Sequence, residues 1–538
     1  MAFLRVDRKT SGNYLSIAET YRTKEGKVRS RILYNIGKKE DYTPAQLRNI
    51  GTKLYQLGGG DLKQLLDIKS EEKVRVNYGY YQVLSKAMKH YGLEGLLAKI
   101  GKNSKLQFSL LNAVMLMLME RLHSPCSKHS SFHNQEDYLG IQPLGLQHLY
   151  RALDKLADNE QLIQKQIYQT GRDLFNSALD VVFYDVTTLY FESDVEKEGS
   201  LRQKGFSKDG KVGTTQVLFC MLIDRHKQPI GYRVFKGDTF EGHTFTKAVD
   251  DLKEQYQIDK VIIVADRGML SSQNLEATTA AGYEFIVGER LRKLPAAIQS
   301  HFLDINNYTS SWQYTGHEGT EESIRYCTKE YQGRTIIGTY SAKRARKDKH
   351  EREEKLQKAQ SLLSRPNLIT SKAGRYFLKK EGKESYVLDQ EKITRDASFD
   401  GFLAIATNNN TLAVSEILDQ YKQLYRIEHS FRTFKSHLEV RPMYHWTEKR
   451  IEGHICLCYI AYTLLNYLLI KLEGQDLKLT EGALRRQLDA MQLSLVGHEG
   501  KQIYLRSAQK PGESLMQQKL GLKTLPNIIP IDLIGQYI

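Results

Sequence analysis

Apolar and polar positions alternate along the first 65 residues, in FLRV, YLSIAETYR and KVRSRILYNIG, with the turn-like KEGK before the last of these. A period of two sends successive side chains to opposite faces, so the spacing predicts a small sheet with a hairpin. Between 66 and 175 the period lengthens to three and four. LLNAVMLMLMERL (110–122) then reads as a buried helix and LYRALDKLADNEQLIQKQIYQ (149–168) as an amphipathic one. Strands follow at 179–192, 212–223 and 229–236, then a helix (242–256), a strand (260–266), a helix (271–281) and a strand (283–288). The turn signals DRHKQP and GDTFEG separate them. Three strands able to pair as a meander, followed by alternating helices and strands, predict a mixed α/β sheet over 176–290.

The rhythm breaks at 291–400 into short alternating strands, ESIRYCTK, RTIIGTYS, RYFLKK and SYVLD, around a charged helix, KRARKDKHEREEKLQKAQSLL. This reads as a β-rich insertion with its own core. Residues 401–475 resume the α/β pattern with the strand FDGFLAIAT, a long helix (411–437) and a second helix (450–472). Residues 476–538 are polar with few periodic signals, and no function is assigned to them. Six segments result, and 538 residues suffice for several cores.

Lys and Arg number 78 against 63 Asp and Glu, a net charge of +15. That excess favours a polyanionic partner, nucleic acid ahead of a membrane surface, although a spread of charge that only aids solubility fits it as well. In the N-terminal sheet Arg22, Lys24, Lys27, Arg29 and Arg31 supply a basic surface, equally compatible with a solvated face and with DNA contact. The helical segment 66–175 is a candidate DNA-binding domain without a distinguishable recognition helix. Five cysteines without a CxxC pair argue against a disulfide framework or a zinc ribbon. The opening MAFLRVDRKTSGNYLS lacks a secretory pattern. The apolar run Ile455–Ile470 is diluted by Tyr459, Tyr462, Thr463 and Asn466 and is shorter than the roughly 20 residues that span a bilayer. It is read as a buried core helix of a cytosolic protein with no membrane partner.

Three acidic residues stand in segments that suit a metal ligand. Asp185 interrupts VVFYDVTTLYF, Asp266 ends VIIVAD at the carboxyl end of a buried strand, where α/β sheets place ligands, and Glu428 lies on YKQLYRIEHSFRTFK. A buried carboxylate is costly unless something positive compensates it. If the first and fourth strands are neighbours, Asp185 and Asp266 meet, and a shared divalent ion removes their repulsion. Hard oxygen donors fit Mg²⁺ or Mn²⁺ better than zinc. The plainer alternatives are that Asp266 caps a turn and that Asp185 pairs with an arginine. On the predicted helix Ile417, Tyr421, Leu424, Glu428, Phe431 and Lys435 share one stripe, so Glu428 would reach the metal and Lys435 a phosphate. Arg432, at i+4 from Glu428, offers a local ion pair instead. Two ions about 3.5 to 4 Å apart can drive in-line phosphodiester cleavage. No GxSxG, Walker A or HExxH pattern competes with that reading.

With FYDVTTLYFES, LRQKGFSKDGK, FKGDTFEGHT, VIIVADRGMLSSQNL, GYEFIVGERLR, FDGFLAIATNN and YRIEHSFRTFKSHLEVRPMYHW, the chain resembles bacterial insertion-sequence transposases of the DDE type. Within the IS4-like group it is closest to the IS1634-like branch. The resemblance implies an RNase H-like core interrupted by a β-rich insertion, with Asp185, Asp266 and Glu428 as catalytic triad and ligands of two Mg²⁺ or Mn²⁺ ions. It implies DNA contacts from Tyr421 and Lys435, which match the group's signature. Leu424 stands where that signature has arginine, and Arg426 is nearby on a different face. Arg267 and Arg432, beside two of the acids, join the DNA-binding candidates. The substrate implied is double-stranded DNA, both terminal inverted repeats and target, held by a homodimer in a synaptic complex. Metal-activated water would free a 3′-OH, which then attacks the opposite strand or the target. Relatives that form a hairpin stack a flipped base on an aromatic ring. Trp312 and Trp446, the only tryptophans, are read as core residues ahead of such a platform. The alternatives are an RNase H-like nuclease or resolvase that cuts without joining, and a transposase-derived DNA-binding regulator, against which the intact triad argues.

Overall fold

The computed structural model describes the chain except residues 1, 60–70, 172–180, 197–198, 206–212, 259–260, 267–270, 316–320, 364–375, 382–384, 499–500 and 538. It divides into two compact units, Met1–Val74 with Leu495–Tyr504, and Arg75–Ser494 with Leu505–Ile538.

In the first unit β1 (Ala2–Lys9), β2 (Gly12–Arg22) and β3 (Val28–Lys38) form an antiparallel sheet in that order. A helix follows at Pro44–Leu57, which the alternation argument does not anticipate. Its signal is local: Thr43 and Gln46 form a capping box and Pro44 sits in the first turn.

After β4 (Glu71–Asn77) the second unit opens with helices. The buried helix is Leu110–His123, and the amphipathic stretch divides at Asn159 into Leu146–Asp158 and Glu160–Gly171. The second of the two long helices is Glu448–Glu473. Its 26 residues are long and apolar enough to cross a membrane, but 78% of the most apolar stretch is buried inside the protein. Gly453 lies where this helix meets Leu146–Asp158, and a Cβ there would collide with the Leu153 carbonyl oxygen. Gly453→Ala gains about 1 kcal/mol of helix propensity. Separating two backbones costs about 1–3 kcal/mol, so net destabilisation is expected. A urea midpoint equal to or above the native one would refute this.

A mixed sheet organises the site. Its strands are β5 (Val181–Tyr190), β6 (Gln203–Lys204), β7 (Thr215–Asp224), β8 (Pro229–Lys236), β9 (Ile262–Ala265), β10 (Glu284–Glu289), β11 (Ser310–Thr315), β12 (Glu321–Tyr331), β13 (Arg334–Tyr340) and β16 (Phe402–Thr407), with β14 (Leu378–Glu381) and β15 (Ser385–Leu388) as a separate pair. Its order is β11-β12-β13-β16-β10-β9-β5-β7-β6, with β8 also on β7. The meander β5-β7-β8 is antiparallel, and β9 and β10 add parallel to β5. This is the mixed α/β, RNase H-like core expected from the sequence.

One expectation changes. Of the insertion's strands only β14 and β15 pair by themselves: β11, β12 and β13 continue the main sheet through β16, which pairs with β10 on one edge and β13 on the other. The insertion does have its own apolar cluster, which includes Phe302, Tyr308, Ile336 and Phe399.

Alternation along β5 sends Val182, Tyr184 and Val186 into a core with Phe245, Ala248 and Leu275 from the helices Glu241–Glu254 and Ser272–Ala280. Tyr184 Oη lies 2.6 Å from Thr244 Oγ1. At the margin of this layer Arg233 of β8 donates from Nε and Nη2 to both carboxylate oxygens of the buried Asp251. Phe183, Asp185 and Thr187 face the other way. On that side Phe219, the cross-strand partner of Thr187, stacks on Phe434 at 4.6 Å, and Tyr232 packs on Tyr459 at 4.8 Å.

The C-terminal stretch, read as polar with few periodic signals, contains helices at Glu481–Ala490 and Pro511–Leu520 and strands at Gln492–His498, Lys501–Arg506 and Ile528–Pro530. The short alternations in QLSLVGH and QIYLR carry that signal, and Thr480 caps the first helix.

Candidate metal and DNA site

The register of β5 and β9 pairs Tyr184 with Ala265. One residue further along each strand stand Asp185 and Asp266, lateral neighbours at the carboxyl end of the parallel pair. Asp185 is half-buried, with Oδ1 accepting from its neighbour's amide, Val186 N, at 2.7 Å, and Asp266 is exposed.

Glu428 arrives from a segment that departs from the sequence reading. In place of one helix over 411–437 there are Val414–Lys422, a break at Gln423–Leu424, Tyr425–Arg432, and a π-helical turn at Thr433–His437. The break divides the expected stripe. Leu418, Tyr421, Lys422, Leu424 and Glu428 line a cavity of about 380 Å³ that Asp185 and Asp266 also line. Phe431 is buried against Phe219, and Lys435 is not among the described residues lining the cavity. Glu428 is exposed to the cavity and makes no ion pair with Arg432 among the described residues, so the local-pair alternative is not what the chain forms.

A further wall comes from the insertion and the strand that follows it: Trp312 and Tyr314 of β11, Ile324 of β12, Thr339 of β13, and Leu403 and Ile405 of β16. Trp312 and Tyr314 stack at 4.5 Å, and Lys422 Nζ sits 3.1 Å from the centre of the Tyr314 ring. Burial pushes the Lys422 ammonium below its usual range against the pull of Glu322 and Asp419. Burial and a 2.5 Å hydrogen bond to Glu322 push the Tyr314 hydroxyl up to about 12. Sequence reasoning missed Lys422 because it lies one position past Tyr421, off the expected stripe.

Two of the other arginines lie elsewhere. Arg426 lines a second cavity, with His226, Lys227, His429, Lys478 and Glu481, and donates to the Arg225 carbonyl. Arg432 is exposed. Arg267 falls outside the described residues. The two tryptophans divide: Trp312 is buried, whereas Trp446 is 63% exposed, lying against the Arg202 guanidinium, which also packs on Phe191. Trp446 is therefore a surface residue and not part of the core. The five cysteines are free thiols.

As donors the three acids suit a hard divalent cation, being carboxylate oxygens alone. Among the described residues no three His, Cys, Asp or Glu side chains converge as a finished cage, and what Glu428 shares with the aspartate pair is the lining of one cavity.

Among solved structures, the piggyBac transposase synaptic complex with hairpin DNA is similar with a TM-score of 0.37 at 9% identity, over 82% of this chain and 80% of that one. The Mos1 transposase paired-end complex with left transposon end is similar with a TM-score of 0.15 at 13% identity, over 36% of this chain and 57% of that one. No curated protein matches the chain. Residues 176–464, more than half of the chain, match the family of the transposase DDE domain, and residues 4–61 match the N-terminal domain of the IS1634 family transposases. The chain that places Asp185, Asp266 and Glu428 around one cavity thus belongs to the DDE transposases, in the IS1634 family.

Proposed function

We propose that this transposase cleaves the ends of its insertion sequence and joins them to target DNA, with Asp185, Asp266 and Glu428 as its catalytic, metal-holding residues. The observation that carries this reading is that three acids from two strands and a separate helix line the same cavity. The three would hold two Mg²⁺ or Mn²⁺ ions. When bound, such ions supply Lewis acidity to both the attacking and the leaving oxygen of a phosphodiester.

The chain's own part is positional. Register on neighbouring strands fixes the spacing of Asp185 and Asp266, and the short helix brings Glu428 to the same cavity. Among the described lining residues Lys422 is the cation that the cavity offers to a DNA phosphate, its ammonium held by the Tyr314 face. Lys435, Arg426 and Arg432 lie off the described lining and, if they touch DNA, do so outside it. The substrates proposed are the terminal inverted repeats and target duplex, brought together by a homodimer in the bacterial cytoplasm, at the nucleoid.

The test is strand transfer. The purified chain with Mg²⁺, a duplex carrying the element end and a target plasmid should yield covalently joined products. Cut ends that are never joined would make it a nuclease. In the same assay Lys422→Ala should weaken end binding for all sequences and lower the slope of log affinity against log salt by about 1. An unchanged slope would remove Lys422 from the phosphate contacts.

A further inference from the structure

We infer that Glu481 is a positioning residue for Glu428: one carboxylate on the helix Glu481–Ala490 fixes the segment that presents the third acid to the cavity. The inference rests on reading that cavity as the metal site.

The helix bearing Glu428, Tyr425–Arg432, has only eight residues. So short a helix has little stability of its own, and its orientation is set by what it touches. It is separated from Val414–Lys422 by the break at Gln423–Leu424 and runs directly into the π-helical turn Thr433–His437. A π turn is a rare conformation that needs compensating contacts and is frequent at functional sites. On one side that compensation is apolar, Phe431 and Phe434 against Phe219.

On the other side it is Glu481. Thr433 Oγ1 donates to Glu481 Oε1 at 3.0 Å. His429 Nε2 lies 3.7 Å from Oε1, and His437 Nε2 lies 3.9 Å from Oε2. His429, Thr433 and His437 fall at successive four-residue steps, so one side chain contacts three consecutive turns across the change from α to π. Its side chain is only 13% exposed, and it begins a helix whose free amides favour negative charge. Burial works against its ionisation, but backbone and Thr433 hydrogen bonds and the nearby histidines hold its carboxyl below the usual range. Glu428 adjoins His429 on this short helix, one facing the acid cavity and the other the second cavity. Any rotation that frees His429 from Glu481 also moves Glu428.

Outer groups that orient a metal ligand are typically worth 10–100-fold in metal affinity. Titrating the full-length chain with Mn²⁺ alone, followed by calorimetry, should show affinity about 10–100-fold weaker for Glu481→Ala. Glu481→Gln keeps an acceptor for Thr433 and should restore most of it. A merely structural role would lower the unfolding temperature of Glu481→Ala and leave its Mn²⁺ affinity at the native value, which overturns the inference. If Glu481→Ala does not fold, Thr433→Val, which deletes only the donor, is read in the same way. Glu428→Gln separates the two claims. Native Mn²⁺ affinity in Glu428→Gln would defeat the reading of the cavity itself. Weak binding there, with native affinity in Glu481→Ala, would defeat only the role of Glu481.

Discussion

Replacing Glu428 with glutamine, or Asp185 with asparagine, is expected to slow Mg²⁺-dependent cleavage of an element end by about a thousandfold, or ~4 kcal/mol of barrier, with DNA binding retained. Each change keeps the size of the side chain and removes its charge, so packing is not at issue. What is lost is a donor of a cation whose field supplies several kcal/mol to an in-line displacement. Stability gives an independent reading. Asp185 and Asp266 are lateral neighbours on parallel strands, and two close carboxylates repel. Asp185→Asn relieves that repulsion, so its unfolding midpoint should equal or exceed the native one while cleavage is lost. Single-turnover cleavage of a labelled duplex, with urea unfolding alongside, decides the matter. Native cleavage by either variant would end the assignment of the three acids.

Arg233→Met should cost about 3–5 kcal/mol of stability without altering the shape of the acid cavity. Arg233 grips both oxygens of Asp251, whose side chain is only 10% exposed, and that hydrogen bonding raises the guanidinium's pKa above its usual range. Removing the arginine leaves a buried carboxylate at the margin of the apolar layer with Tyr256 and the acidic Glu160 nearby, and it must then stay charged and unpaired or take up a proton. Replacing both partners, Arg233→Met with Asp251→Leu, removes the orphaned charge and should recover most of the loss. Urea unfolding of the three variants measures this. A single variant as stable as the double one would show that the pair contributes little.

The core strands were legible because their apolar runs are local facts: VVFY and VIIVA could hardly be anything but buried strands. Asp185 stood out because it interrupts such a run. The broken helix was not legible. Gln423, Leu424 and Tyr425 are ordinary helix residues, and nothing in their spacing announces a break. The π turn depends on Phe219 and Glu481, remote in sequence, which tertiary packing alone brings to it. Trp446 was misjudged for a related reason. A tryptophan is usually buried, but this one is supported at the surface by Arg202, far back in the chain. The joining of the insertion to the main sheet is likewise a pairing between distant strands, and alternation within β11, β12 and β13 says only that they are strands.

That pairing makes the cavity a caliper with one fixed jaw. From Asp266 at the end of β9 to Trp312 on β11, an unbroken ladder of backbone hydrogen bonds crosses β10, β16, β13 and β12. The aromatic wall cannot approach or leave the aspartates unless that ladder bends as a whole. Only the jaw carrying Glu428 hangs on a broken junction and a π turn. The gap proposed for a DNA strand is therefore gauged by strand count and register, and a one-residue deletion inside β16 would turn residues out of the wall and spoil the gauge without touching a single acid.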